Sequence, residues 1–296
     1  MSKKQGALAR GYSVAESDYF DRIPELRPLR TKRVLIVGLG SIGAPASMEL
    51  ARAGIAHLDL VDADIVDPAG TVRWPFGASA AGSSKAHFLA HQITTDYPYS
   101  SAEPHHLQLG RARRDVYAPS DVDMLEERLQ QCDLVLDATA DSGVNEYLAH
   151  MTRAAAKSHL VVEGTAGGWG GHAFFAAGSP NAACLRCYEL ARLAGRAPKP
   201  PQAPEGPAAI QPRGCGDRTF RAAGFDMLQV ALCAVRLAVA KLCGGEGSSY
   251  PGTSFNLINL SLRQAGGEFS LPVFEGLEIP QDPECSLCRR HRASTG

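Results

Sequence analysis

The stretch Val34-Leu35-Ile36-Val37-Gly38-Leu39-Gly40-Ser41-Ile42-Gly43, followed after a helical segment by Ile55-Ala56-His57-Leu58-Asp59-Leu60-Val61-Asp62-Ala63-Asp64, decides the fold. Residues 33 to 38 form a short β-branched run. The pattern then turns helical through Ala53, and Ile55 to Val61 reads as a second strand after the tight Ala53-Gly54 turn. That is a βαβ unit. Gly38, Gly40 and Gly43 have the G-x-G-x-x-G spacing: the first permits the turn, the second keeps a side chain out of a phosphate's path, and the third lets helix and strand pack closely. The helix that follows offers unpaired N–H groups to an anion. The motif alone says nucleotide without saying which one.

Asp62 closes the second strand where a dinucleotide enzyme would hold a ribose diol, and Asp64 follows; plain capping of the strand end is the competing reading. Arg73 and Lys85 would place cations near a phosphate chain. Phosphoryl chemistry gains from such groups, whereas hydride transfer does not need them.

Working outward, strand and helix keep alternating. Ser83 and Ser84 can cap a helix running to about Thr94, aiming Lys85 at the sheet edge that carries the glycine turn. A helix is expected over Asp121 to Gln130, a strand over Asp133 to Leu136, a helix near Val144 to Ala156, and a strand over Leu160 to Glu163. This order predicts an α/β fold, a Rossmann-like open, mainly parallel sheet with helices on both faces. After glycine-rich 164–171 come a strand at His172 to Ala176, a helix at 225–243 and strands at 253–260 and 268–274, read as a smaller antiparallel C-terminal layer. Residues 1–30 are taken as an N-terminal helical arm, 31–180 as the nucleotide-binding core and 181–296 as the C-terminal part of the same domain. Six prolines between Arg192 and Arg213, with almost no periodicity, suggest a mobile crossover at 192–213 rather than packed structure.

A length of 296 residues suits one large core or one domain with a lobe. The formal charge of -1, from 30 basic and 31 acidic residues, gives no global attraction to nucleic acid, so partners must be recognised locally. Met1 to Arg10 has no apolar region of the kind a secretory signal needs. The apolar helix at 225–243 carries Asp226, Arg236 and Lys241, which favours burial over a membrane span.

Four of the eight cysteines stand in the pairs Cys184-Leu185-Arg186-Cys187 and Cys285-Ser286-Leu287-Cys288. Four thiolates from two distant turns suit a closed tetrahedral zinc site that pins the C-terminal segment to the body; unlinked or redox-active pairs are the competing reading. In a chain this long, metal ligands in a reducing compartment are expected before a disulfide framework, which makes cytoplasm the default location. Cys132, Cys233 and Cys243 sit in apolar contexts and read as buried and inert. Cys215 differs: it lies within Arg213-Gly214-Cys215-Gly216-Asp217-Arg218, where guanidinium charge would lower its pKa and the glycines would admit a carbonyl group. A nucleophilic role competes with that of an incidental thiol, and no histidine stands beside it as base.

At these residues the chain resembles the ThiF/MoeB/ubiquitin-activating (E1-like) superfamily, which adenylates the C-terminal glycine of ubiquitin-like or sulfur-carrier proteins. The matching stretches are Val34 to Gly43, Leu58 to Asp64, the segment around Arg73, Gly82 to Ala86, Leu134 to Thr139, Gly164 to Phe175 and both cysteine pairs. The resemblance implies ATP and Mg2+ as cofactors beside structural Zn2+. Gly38, Gly40, Ser41 and Gly43 would hold the phosphates, Asp62 the ribose with Asp64 beside it, and Arg73 and Lys85 would contact phosphate. Arg22, within Tyr19-Phe20-Asp21-Arg22-Ile23, looks like the arginine that the family sends into a partner subunit's site, which implies a homodimer; a solvated surface role is the alternative.

Two departures stand out. The family's Asn-Leu-x-Arg-Gln is here Gly70-Thr71-Val72-Arg73-Trp74, and its Asp-x-Thr-Asp becomes Asp137-Ala138-Thr139-Ala140-Asp141, with Ala140 where the magnesium-associated aspartate belongs. Asp141 or Asp137 would have to take over. The run from Gly214 to Phe220 looks like bacterial ubiquitin-activating-like proteins that pass a partner on as a thioester, which would use Cys215. Such proteins commonly work beside an E2-like conjugating enzyme, some of them in antiviral defence operons. The expected function is therefore adenylation of a ubiquitin-like protein followed by a thioester on Cys215. The alternatives are adenylation of a sulfur-carrier protein or short peptide without an enzyme thioester, an NAD-dependent oxidoreductase, and a catalytically inactive adaptor. No nucleic-acid or membrane partner is expected.

Overall fold

The structure, a computed structural model, describes residues 11, 15–110, 120–204, 209–210, 219–245 and 247–289. Its strands are β1 (Arg33–Val37), β2 (His57–Val61), β3 (Ser101–His105), β4 (Leu134–Asp137), β5 (Ser158–Gly164), β6 (Gly170–Ala176), β7 (Ala209–Ile210), β8 (Thr219–Phe220), β9 (Leu257–Arg263) and β10 (Phe269–Leu277). The helices are α1 (Gly43–Arg52), α2 (Lys85–Asp96), α3 (Asp121–Gln131), α4 (Ser142–Ala154), α5 (Leu185–Leu193) and α6 (Gly224–Cys243).

Eight strands form one sheet in the order β10-β9-β6-β5-β4-β1-β2-β3, while β7 and β8 pair separately. From β3 to β5 all neighbours are parallel. The antiparallel C-terminal segment, expected as a smaller layer, runs on from β5 through β6, β9 and β10 in the same sheet.

The parallel strands read as continuous apolar runs because both faces are covered. Val34 and Ile36 of β1 point into a core shared with α1, α2 and α6. Leu35 and Val37, alternating with them, point into a second core under α3 and α4. A third core, centred on Phe174 and Tyr188, joins β6 and α5 to the paired cysteines.

Several boundaries differ from expectation, among them β9, which runs Leu257–Arg263 where 253–260 is expected. Ile55 belongs to the close of α1, its N–H reaching Leu50 O at 3.2 Å, so β2 starts at His57. Strand β3 escapes sequence reading because Ser101-Ala102-Glu103-Pro104-His105 has neither alternation nor β-branched residues. It tolerates Pro104 because it is the edge of the sheet. The crossover is packed in its described part: Ala197 is buried, Pro198 O accepts from Asn259 Nδ2 at 2.8 Å, Pro201 O from Thr165 Oγ1 at 2.6 Å, and Ala203 N–H reaches Ala166 O at 2.8 Å. Its prolines mark irregular backbone there, not loose backbone. Residues 205–208 and 211–218 lie outside the described residues.

Candidate active site

The glycine turn closes β1 in the left-handed region, with Gly38 at φ 85°. A Cβ there would stand 2.9 Å from the backbone of Ala138 and Thr139, so the turn after β4 is pressed against the turn after β1. At Gly43 a Cβ would stand 1.8 Å from Gly38 O, which leaves glycine alone able to start α1 so close to the strand. Gly40 is the reverse case: a Cβ there meets nothing within 4 Å, and that open cradle fits a phosphate chain passing the start of α1. Ser41 stands in the same turn, half-buried.

Asp62 is wired to this turn. One carboxylate oxygen accepts the Leu39 N–H and the other the Asp64 N–H, each at 2.7 Å. Burial raises its pKa, and the nearby Lys85 opposes that rise. Lys85 Nζ lies 2.7 Å from Asp64 and 4.0 Å from Asp62. It arrives there because Ser84 caps α2 and the Lys85 N–H bonds Asp64 O at 3.0 Å, an antiparallel bridge between the chain after β2 and the start of α2. Glycine turn, two aspartates and lysine thus share one corner of the sheet's C-terminal edge.

Arg73 follows a short 3-10 turn at Pro68–Val72 and packs against the first residue of α6: a Cβ on Gly224 would stand 3.1 Å from Arg73 Cα. Burial lowers its guanidinium pKa. Trp74, which stands where the resemblance expects glutamine, donates from Nε1 to Leu39 O at 2.8 Å and so ties this segment to the glycine turn. That anchor was missed in the sequence, where Trp74 registers only as a departure.

The turn after β4 holds the weakest expectation. Ala140 sits at φ 53°, a left-handed backbone that asparagine or aspartate tolerates better than alanine. Asp141 caps α4, with one oxygen accepting the Gly143 and Val144 N–H groups at 2.8 and 3.0 Å. Asp137 is fully buried; its Oδ1 accepts from Thr139 N–H and Oγ1, and Oδ2 lies 3.5 Å from His159 Nε2. Among the described residues no group of three ligands gathers at this turn. A chain of polar contacts instead runs from Thr139 through Asn145, 3.1 Å away, to Glu163, whose Oε1 accepts from Asn145 Nδ2 at 2.6 Å. Burial raises the Glu163 pKa, and burial drops that of neighbouring His172 to about 3. Only position, in the first turn of α4 for Asn145 and near the end of β5 for Glu163, could have signalled them in the sequence.

Arg22 is not brought to its own chain's glycine turn. It is exposed, and its neighbours are bound at the other end of α1: Tyr19 OH donates to Arg52 O at 2.9 Å and the Phe20 ring covers Gly54. About 15 Å of helix separates that end from Gly43. Trp169 packs on the turn between β9 and β10, where a Cβ on Gly267 would stand 2.6 Å from its ring. Cys215 lies outside the described residues.

Far from this corner in sequence, Cys184, Cys187, Cys285 and Cys288 converge as a buried cluster. Four of the sulfur–sulfur separations run from 3.5 to 3.7 Å, close to the edge of a tetrahedron of about 2.3 Å metal–sulfur bonds. The donor set fits zinc. Cys187 also accepts the Asp282 N–H at 3.3 Å. Cys132, Cys233 and Cys243 are buried, and burial pushes the first two up to about 11 and about 12.

A mainly parallel sheet with helices on both faces and a glycine turn after its first strand defines an α/β protein of the Rossmann-like class. The chain belongs to the ThiF family, whose pattern matches residues 19–265. It is 36% identical over 231 residues to the uncharacterized protein y4qC of Sinorhizobium fredii, covering 76% of this chain and 39% of that protein. It is 34% identical over 135 residues to the probable adenylyltransferase/sulfurtransferase MoeZ of Mycobacterium tuberculosis, covering 43% and 31%. The chain thus spans less than half the length of these curated relatives. Its fold is similar to that of the microcin C7 biosynthetic enzyme MccB in complex with N-formylated MccA, with a TM-score of 0.64 at 13% identity over 92% of this chain and 75% of that one. No helix among the described residues is long and apolar enough to cross a membrane.

Proposed function

We propose that this chain is an ATP-dependent adenylyltransferase that activates the C-terminal carboxylate of a small carrier protein or peptide. The observation that supports this most is Lys85 set between Asp62 and Asp64 beside the open cradle at Gly40. A carboxylate attacking the α-phosphorus of ATP brings two anions together, so fixed cations must first offset their repulsion. Lys85 is held for that purpose by α2, Arg73 by its packing on α6, and Arg22 of a second copy would complete the set in a homodimer. The incoming oxygen bonds to phosphorus, the bond to the bridging oxygen breaks with its electron pair, and pyrophosphate leaves. Magnesium bound with the triphosphate would supply further positive charge, with Asp141 or Asp137 at the adjoining turn as its holders.

The names of the relatives support acyl-adenylate chemistry that does not need an enzyme thioester: MoeZ is described as an adenylyltransferase/sulfurtransferase, and MccB is seen in complex with N-formylated MccA. A sulfur-carrier protein or short peptide is therefore the first substrate reading. A ubiquitin-like protein passed through Cys215 to an E2-like partner is the second, carried by the sequence around Cys215 and by a 28% match over 121 residues to the ubiquitin transferase-like protein Cap2 of Enterobacter hormaechei.

Exchange of radiolabelled pyrophosphate into ATP, stimulated by a small glycine-terminated protein or peptide, tests adenylation. Cys215→Ala separates the two readings. In the first the variant keeps exchange and no thiol-sensitive adduct forms on either protein; in the second the wild type forms such an adduct and the variant loses it. No exchange with any glycine-terminated candidate, in a protein that binds ATP, would leave an adaptor.

A further inference from the structure

A metal bound by four cysteine thiolates as a divalent ion carries a net charge of minus two, and here the four sulfurs are almost completely buried, at 0 to 3% residue exposure. Charge removed from water in this way needs a counter-charge. Arg153, in the last turn of α4 and only 4% exposed, stands at the cluster: Nη2 lies 3.6 Å from Cys288 Sγ. The same guanidinium donates to Ser179 O at 2.9 Å, Pro180 O at 2.6 Å and Ala182 O at 3.2 Å, the loop that leads into the first cysteine pair. Its Nε–H has no partner among the described residues. Other arginines at this end are spent on carboxylates and more exposed: Arg196 on Asp282, Arg186 on Glu189 and Arg289 on Glu284.

We infer that Arg153 is the buried counter-charge of the four-cysteine metal centre and joins that centre to α4. The planar fork suits this double task, since Nη1 serves the Ser179 and Ala182 carbonyls while Nη2 is shared between Pro180 O and the Cys288 sulfur. Helix α4 then connects two sites. Its N-terminus is the Asp141 cap at the turn pressed on Gly38, and its C-terminal turn ends on the metal-binding sulfur cluster. The inference rests on the reading that the cluster takes up zinc.

The test compares wild type, R153Q and R153K, purified with zinc, for the rate and pH midpoint of zinc release to 4-(2-pyridylazo)resorcinol, with circular dichroism as the check on folding. Glutamine keeps amide donors for the carbonyls and removes the charge; lysine keeps the charge. R153Q is expected to release zinc at least about tenfold faster, as loss of groups behind metal ligands typically does. Its pH midpoint is expected to rise, because uncompensated thiolates take up protons more readily, and R153K is expected to lie close to wild type in that midpoint. If R153Q and R153K change release equally, the carbonyl bonds matter and the counter-charge assignment is wrong. If R153Q fails to fold, R153K decides: a wild-type midpoint supports the charge role, and a shifted one overturns it. A wild-type chain that holds and takes up no zinc refutes the metal reading, and the inference with it, while leaving adenylation to be judged by pyrophosphate exchange.

Discussion

At the glycine turn the decisive groups are backbone, and at the four-cysteine cluster they are side chains. The first site is built from close approach: Gly43 against Gly38 O, Gly38 against the turn after β4, and an open cradle at Gly40. The second is built from convergence of residues about a hundred positions apart, four sulfurs and one buried guanidinium in a satellite core with Phe174 and Tyr188. The difference teaches where each site is vulnerable. A methyl group added at Gly43 would meet Gly38 O and disrupt the first, whereas the second, on the reading that it takes up zinc, would respond to loss of the ion or of its charge balance.

Removal of the metal should separate the two regions most strongly. Structural zinc supplies on the order of 10 kcal/mol in small metallo-domains. Chelation is therefore expected to strip hydrogen-exchange protection from α5 and residues 282–289 while β1, β2 and α1 stay protected. Uniform loss across both regions would break the comparison. Next come the glycines. G43A forces a methyl onto a carbonyl oxygen and is expected to cost about 3 kcal/mol or more in urea unfolding. G40A points into open space, so it should change stability by less than about 0.5 kcal/mol and still weaken ATP binding measurably by calorimetry. Equal destabilisation by the two would mean that the cradle is not open as described.

The last of these tests concerns a third environment, in the middle of β2 three residues before Asp62. Asp59 is buried in β2; burial alone would raise its pKa, but the His105 hydrogen bond, the His57 ring 3.4 Å away and the charge of Arg128 hold it well below the usual carboxylate range. Arg33 Nη2, 3.9 Å away, adds to that field. A carboxylate depressed in the folded state stabilises above its unfolded pKa of about 4, and that contribution fades as pH falls further. Urea unfolding should show wild type losing stability between about pH 5 and pH 2 more steeply than D59N. Parallel curves would show that the carboxylate is not held ionised.

The same contrast explains what could be read in the chain. The βαβ unit was legible because Val34 to Asp64 combines strand period, helix period and glycine spacing in thirty residues. The four cysteines were legible because their spacing belongs to one chemistry. Arg153 and Glu163 were not, since a lone arginine or glutamate shows its burial only once α4 is laid across the sheet. Strand β3 was hidden by Pro104, acceptable only at an edge that the sequence does not announce. In the described part of the crossover, prolines 198 and 201 remove N–H donors while their carbonyls accept hydrogen bonds, a detail that proline content does not show.

The most direct test of the central claim is calorimetric titration of wild type and K85A with ATP and with NAD, each with magnesium present. A lysine that contacts phosphate contributes about 1.5–3 kcal/mol, so K85A is expected to bind ATP about ten to a hundred times more weakly, with NAD binding far below ATP in the wild type. Wild type that prefers NAD, or K85A that binds ATP as tightly as wild type, would contradict an adenylation site at the glycine turn.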